Sequence, residues 1–412
     1  MRILFIADNF PPELNAAATR TYEHAVQWVR AGAQVTVLTC APNFPQGRVY
    51  PGYRNALRQR EIIDGIEVMR LWSYIAPNAG VLKRIIDQAS FGASAAIAGL
   101  FHDADVIVAS SPQFFTTWAG LFLGTVRRRP WIFELRDLWP ASIVAVGAMK
   151  PGRMIRMLER IELYLYRRCA AVIANTPALR TNLVSRGIDP NKIHVIPNGV
   201  DLQAFRPRPK DPALLESLGL QGKFVVGYIG THGMAHGLDF IVEAAAGLAR
   251  ERLHFLFVGD GAEKAKVRRR AAEVQLTNAS FLDPVQKAQV ADYIALMDVA
   301  LVPLRRSETF KTVIPSKIFE CAAMRKPILL GVEGQAQELV EHYAAGLCFR
   351  PEDADDFRAK LMRLMESADT YQTLQEGCAR LAAAYERTRL ADEMLSILKR
   401  VSSDRPRAAV PA

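Results

Sequence analysis

Apolar residues fall in short runs separated by polar, helix-patterned stretches, and this rhythm occurs twice along the chain. "RILFIAD" (2–8) precedes "AAATRTYEHAVQWVRA" (16–31), where Ala18, Tyr22, Ala25, Val26 and Val29 keep helical spacing and Gly32 stands where a C-cap belongs. "QVTVLT" (34–39), "DVIVAS" (105–110), "WIFEL" (131–135), "AAVIAN" (170–175) and "KIHVIPN" (192–198) complete the first series. All but the alternating 34–39 segment are near-continuous apolar runs, as expected of parallel strands buried on both faces. The second series is "FVVGYIG" (224–230), "LHFLFVGDG" (253–261), "ASFLD" (279–283), "DVALVPL" (298–304) and "PILLG" (327–331), alternating with helices such as 237–249 and 286–297. Such alternation predicts an α/β protein with two doubly wound, Rossmann-like parallel-sheet domains.

At 412 residues the chain exceeds one ordinary core, so two domains are expected on length as well. The Pro-rich "NGVDLQAFRPRPKDP" (198–212) reads as the linker, giving domains 1–203 and 204–384. A further helix, "RLADEMLSILKR" (389–400), follows the second domain, and the Pro/Ala tail 403–412 reads as disordered. Five scattered cysteines form no CxxC pair and no His/Cys cluster, which argues against a zinc site or a disulfide framework. The opening strand meets "NFPPE" too soon for a signal-peptide core, so a cytoplasmic location is expected.

The net charge of +10 is uneven: residues 1–203 hold 23 Lys and Arg against 15 Asp and Glu, and the remainder 29 against 27. Clusters lie at Arg54/Arg58/Arg60, Lys83/Arg84, Arg127/Arg128/Arg129 and Lys150/Arg153/Arg156. No helix-turn-helix, finger or RNP-like aromatic pattern accompanies them, which disfavours nucleic acid. Solvated surface and an anionic membrane remain as explanations. Residues 81–101 pair an apolar face with Lys83, Arg84 and Asp87, suiting an interfacial helix and excluding a spanning one; "FFTTWAGLFLG" (114–124) is too short to span and reads as a core helix.

Ligands of open parallel sheets bind at the strands' carboxyl ends. There, "YIGTHGMAHGLDFIVEAA" (228–245) runs strand, glycine-rich loop, helix, and Gly230, Gly233 and Gly237 would let the backbone approach an anion. "VGDGAEK" (258–264), with Asp260, is a second such turn. "FKTVIPSKIFECAAMRKPILLG" (310–331) reads as a loop, a helix with Pro315 in its first turn, and a strand. Lys317 there suits a diphosphate and Glu320 a ribose diol; a surface i,i+3 ion pair is the bland alternative. "DAD" (103–105) precedes its strand at the amino end, so it reads as a turn rather than a metal site; no other carboxylate or His cluster has metal-ligand spacing, and neither metal nor cofactor is expected.

"IPNGVD" (196–201), the glycine-rich loop, "FVGDG", and "PSKIFECAA" followed by "KPILLG" together resemble the retaining family 4 glycosyltransferases. "FELRDLWPASI" (133–143) and "GTHGMAHGLD" (230–239) are similar to the fucosaminyltransferase-like enzymes of bacterial O-antigen and capsule assembly. The resemblance covers essentially the whole chain. It implies a GT-B fold, two Rossmann-like domains facing a cleft with the last helix crossing back to the first. It also implies a UDP-sugar donor and a polyprenyl-diphosphate-linked acceptor at the inner face of the cytoplasmic membrane. On the donor side it points to Gly230, Thr231, Gly233, His236, Gly237, Asp260, Pro284, Val285, Lys317 and Glu320. Two departures stand out: Thr231 and His236 occupy the loop where relatives carry Arg and Lys, and Thr312 replaces the first of two paired glutamates.

Acceptor-side candidates lie in "DNFPPELNAAATR" (8–20), where Ala16, Ala17 and Ala18 replace the family's glycines and Asn9 and Glu13 supply polarity. Asp137, just past strand 131–135, could orient or deprotonate the acceptor hydroxyl, and Trp139 could stack on a sugar. Asp137 in a local ion pair with Arg136, and Trp139 in the core, are the structural alternatives. Lys317 and Asp137 are the expected catalytic residues. A UDP-N-acetyl sugar epimerase of the same fold and a non-enzymatic basic binding protein are the competing functional readings.

Overall fold

The computed structural model describes residues 1–13, 15–44, 46–75, 81–111, 114–138, 140, 152–248 and 252–403. Contacts divide the chain into two compact units, with the break between Pro197 and Asn198 and the C-terminal helix belonging to the first unit from Thr388 onward.

The first unit contains β1 (Arg2–Ile6), α1 (Ala16–Arg30), β2 (Gln34–Cys40), β3 (Arg58–Ile63), β4 (Ile66–Leu71), α2 (Val81–Gly99), β5 (Val106–Ser110), α3 (Phe114–Val126), β6 (Trp131–Leu135), α4 (Arg153–Arg168), β7 (Ala171–Ala174), α5 (Pro177–Ser185) and β8 (Ile193–Val195). Its sheet has the order β3-β4-β2-β1-β5-β6-β7-β8, parallel except for the edge strand β3. Strands β5, β6 and β7 are buried at every residue, which explains their unbroken apolar runs. The β3–β4 hairpin is absent from the strands expected above. Its signal is present in "IIDGIEV": Asp64 and Gly65 both take positive φ, the two-residue turn that matches strand twist. The helix expected across 114–124 is α3, and Trp131 packs where Gly120 and Gly124 lack side chains. In "DAD", Asp103 and Asp105 bind Arg2 at the amino end of β1 and β5.

The second unit contains α6 (Pro212–Ser217), β9 (Phe224–Ile229), α7 (Leu238–Ala246), β10 (Leu253–Val258), α8 (Lys264–Glu273), β11 (Ala279–Leu282), α9 (Val290–Leu296), β12 (Val299–Pro303), α10 (Lys317–Ala323), β13 (Ile328–Gly331), α11 (Gln335–His342), β14 (Gly346–Cys348), α12 (Ala354–Glu366) and α13 (Ala368–Ala384). Its sheet is parallel throughout, in the order β11-β10-β9-β12-β13-β14. The order reverses between β9 and β12, the topological switch point at which such sheets bind ligands. Residues 198–212 are built into this unit: Val200 and Phe205 enter its core, and Lys210 bonds Asp298 at 2.7 Å.

The last helix, α14 (Arg387–Ser403), is amphipathic. Leu390, Ala391, Met394, Leu395, Ile397 and Leu398 join the first-unit core around β1, β2 and α1, and Trp28 donates its indole N–H to the Ala391 carbonyl at 2.9 Å. A stripe of this kind cannot stay in water, since each Leu or Ile buried contributes about 1.5–3 kcal/mol.

Candidate active site

The carboxyl ends of β9 and β10 are joined by backbone hydrogen bonds. Gly230 N–H donates to the Val258 carbonyl at 3.0 Å, His232 N–H to Asp260 at 2.8 Å, and Glu263 N–H back to His232 at 2.9 Å. This close approach requires glycine. Gly259 has φ +143, and a Cβ there would collide with the Gly230 carbonyl; Gly261 has φ +156, and a Cβ would lie 2.5 Å from the His232 carbonyl. Beyond them Met234–His236 form one tight turn, and Gly237, at φ +57, caps α7. Arg305, past β12, secures that turn through the Met234 carbonyl and holds Asp239 through both carboxylate oxygens.

Lys317 enters this loop from the first residue of α10. Its Nζ lies 3.6 Å from the centroid of the Tyr228 ring. The amine has no accessible surface and no hydrogen-bond partner among the described residues, although the side chain as a whole is partly exposed. His232 is fully buried, and neither ring nitrogen has a hydrogen-bond partner among the described residues. His236 approaches the Tyr228 ring edge-on at 5.8 Å. Burial drives the Lys317 amine down to about 7, with Cys321 and Glu320 pulling it back up. Burial first, then nearby lysines, holds His232 down at about 4; burial, Lys317 and His232 hold His236 at about 3. Glu320 is pushed up to about 7 by burial, against the pull of Lys287 and Lys317. Among the described residues the Lys317 amine and both His232 ring nitrogens find no hydrogen-bond partner, and a buried polar group without one is costly.

The glycines, His236, Lys317 and Glu320 are therefore brought to one end of one sheet. Other expected donor residues differ. Pro315 lies before Ser316, the N-cap, so it is outside the first helical turn rather than in it. Thr231 is exposed, and its carbonyl accepts the Tyr228 hydroxyl at 2.6 Å. Asp260 closes its own turn by accepting from Gly261 N–H at 2.8 Å. Thr312 donates to the Thr309 carbonyl at 2.8 Å. Pro284 is exposed, whereas Val285 packs on the core at Val258 and Leu296. Tyr228, His232 and Arg305 were not anticipated. Only the strand-end position of each could have signalled them.

In the first unit a second polar group gathers at carboxyl ends. Arg20 of α1 donates to buried Glu134 at 2.8 Å and to the carbonyls of Pro197 and Ile196 at 2.8 and 3.0 Å. Despite burial, Arg20 and Arg136 hold Glu134 down at about 2. The Arg136 backbone is fixed by Ser111 and Asn175, and its side chain donates to Ala17, which aims the next residue, Asp137. Burial raises Asp137 to about 6, against the pull of Arg136. Glu13 is corrected as an acceptor contact: it is 2% exposed and accepts the N–H groups of Asn43 and Phe44 at 2.7 and 2.8 Å, tying two loops together. Ala16 and Ala17 form the first turn of α1, capped by Asn15, rather than a loop. Asn9 is half-buried just past β1. Trp139 lies outside the described residues. Asp8, unanticipated, sits at the end of β1 with its carboxyl raised to about 7 by burial, Glu13 and Asp87.

Two units, each built on a largely parallel sheet, one with a glycine-rich turn at its switch point, are the architecture of the GT-B class of transferases. Residues 15–199 match the glycosyl transferase 4-like domain and residues 223–367 the glycosyl transferases group 1 domain, so the chain is an enzyme of the glycosyltransferase type. It is 24% identical, over 86% of its length and 90% of the relative's, to WcaI of Escherichia coli, provisionally named a colanic acid biosynthesis glycosyl transferase. The GDP-mannose-dependent alpha-mannosyltransferase of Mycobacterium tuberculosis is also 24% identical, over 84% of this chain and 83% of that protein. Among solved structures, Anabaena HepE in complex with UDP and glucose superimposes with a TM-score of 0.73 at 19% identity, covering 97% of this chain and all of that one.

Proposed function

We propose that this enzyme transfers a sugar from a UDP-linked donor, with retention of configuration, to a polyprenyl-diphosphate-linked acceptor in bacterial surface-polysaccharide assembly. An N-acetylated amino-deoxyhexose such as fucosamine is the sugar we favour. The observation that carries the donor reading is the Lys317 amine, buried without a hydrogen-bond partner among the described residues beside a glycine loop folded for close approach. As the bond to the anomeric carbon breaks, negative charge grows on the departing diphosphate. Lys317, with backbone N–H groups at Gly233 and Gly237, meets that charge, and one such contact is typically worth about 3 kcal/mol of barrier. Glu320 accepts the ribose hydroxyls. On the first unit, Asp137 orients or deprotonates the acceptor hydroxyl.

The acceptor's lipid places the enzyme at a membrane surface, and the first unit has suitable features. Ile85, Ile86 and Ile97 of α2, Phe101 just beyond it, and Phe122 and Val126 of α3 expose apolar side chains, with Lys83, Arg84 and Arg127 nearby in sequence. Among the described residues no helix is long and apolar enough to cross a membrane.

A metal-free thermal-shift panel of UDP, GDP, ADP, TDP and NAD tests the donor. UDP and GDP are both required, because HepE was solved with UDP and the mycobacterial relative is named for GDP-mannose. Ligand at a hundred times its Kd adds about 2.7 kcal/mol of stability, a visible shift. Selective response to UDP is expected, and silence from every nucleotide refutes the donor site. Acceptor-dependent release of UDP then separates transfer from epimerisation, which releases none.

A further inference from the structure

No hydrogen-bond acceptor among the described residues meets the Lys317 amine, and burial outweighs the support its charge draws from the Tyr228 ring and Glu320. Its Nζ rests on the face of Tyr228 from β9, shut off from water and without a hydrogen-bond acceptor among the described residues. The groups around it are mostly neutral or cationic. His232 and His236 face it from the glycine-rich loop, with Lys264 and Asp260 acting on His232. Glu320 and Cys321 lie on its own helix, and Lys287 acts on Glu320 from the segment after β11. The aromatic face favours a cation, but removal of water opposes one.

We propose that the donor diphosphate binds together with one proton, taken from solvent by the Lys317 amine, so that the site becomes fully cationic only when occupied. The proposal rests on the donor reading above. One N–H bond forms on Nζ as the buffer acid gives up its proton, no other covalent bond changes, and the diphosphate supplies the counter-charge. His232, kept neutral by burial, retains one ring N–H that can donate to a phosphate oxygen, whereas the His236 ring is held by the Pro303 backbone. Because the free amine titrates near 7, part of the population is uncharged at neutral pH, and an arriving anion shifts it to the ammonium.

Titration calorimetry of the full chain with UDP, in two buffers of different ionisation enthalpy, reads the proton directly. Near pH 7 the expected uptake is about half a proton, rising toward one at higher pH. Lys317→Arg should bind UDP without that uptake, since guanidinium is always charged, and it also subtracts any proton taken up by UDP itself. Where the variant does not melt cooperatively, the wild-type Kd decides: it should rise up to about tenfold per pH unit above about pH 7. A flat Kd there, or the same uptake in Lys317→Arg, overturns the inference while leaving the donor site standing. Absence of heat with both UDP and GDP overturns the donor reading, and the inference with it.

Discussion

Lys317 and Glu320 lie almost one turn apart on α10, and burial moves both toward neutral pH from opposite directions, the amine down and the carboxyl up to about 7. Their tasks differ, so their variants should separate. Lys317→Ala should lower turnover at saturating donor more than tenfold, because the additional charge on the leaving diphosphate develops in the transition state. A UDP-release assay with unchanged turnover removes Lys317 from the site. Asp137 supplies a pH signature: its carboxyl, raised to about 6 mainly by burial, must ionise to accept a proton. The kcat/KM profile should therefore rise with pH through about 6, and Asp137→Asn should abolish that limb. Persistence of the limb in the variant would assign it elsewhere. These residues were legible in sequence because each follows a strand or opens a helix at the carboxyl edge. His232, Tyr228 and Arg305 were not, since an unpartnered imidazole, or an arginine fixing a loop, is a property of contacts.

In the first unit, the strand that leads to Asp137 is tied to its neighbours by a buried ion pair. Arg20 links α1 to Glu134 of β6 and to the chain end at Ile196–Pro197. Arg20→Met should leave buried Glu134 with only Arg136 and Ser110 to hold its charge, at a cost of about 3 kcal/mol measured by denaturant unfolding. Glu134 titrates near 2 in the fold against 4.5 as its ordinary value. Its contribution is thus complete above about 4.5 and lost as pH falls toward 2, and Arg20→Met should remove most of that acid sensitivity. Element identity was largely readable, because parallel strands buried on both faces leave continuous apolar runs. The β3–β4 hairpin escaped since its edge strand, "RQREII", looks like a basic surface cluster unless the Asp64–Gly65 turn is weighed first.

Charge and apolar exposure act at the scale of the molecule. The first 203 residues carry most of the excess positive charge, and α2 and α3 expose isoleucines and phenylalanines in that same half. Flotation should recover more protein with anionic than with neutral liposomes, and salt should weaken the difference. Equal recovery from both would contradict a membrane-facing role. The sequence alone determined two doubly wound α/β repeats, their glycine-rich turns, and the Lys317–Glu320 helix, because strand periodicity, turn chemistry and helix starts are local. Tertiary structure decided the rest. It placed α14 in the core of the first unit, committed Glu13 to the backbone of Asn43 and Phe44, and closed water away from Lys317. Burial and partner choice depend on residues far apart in the chain, and no local pattern encodes them.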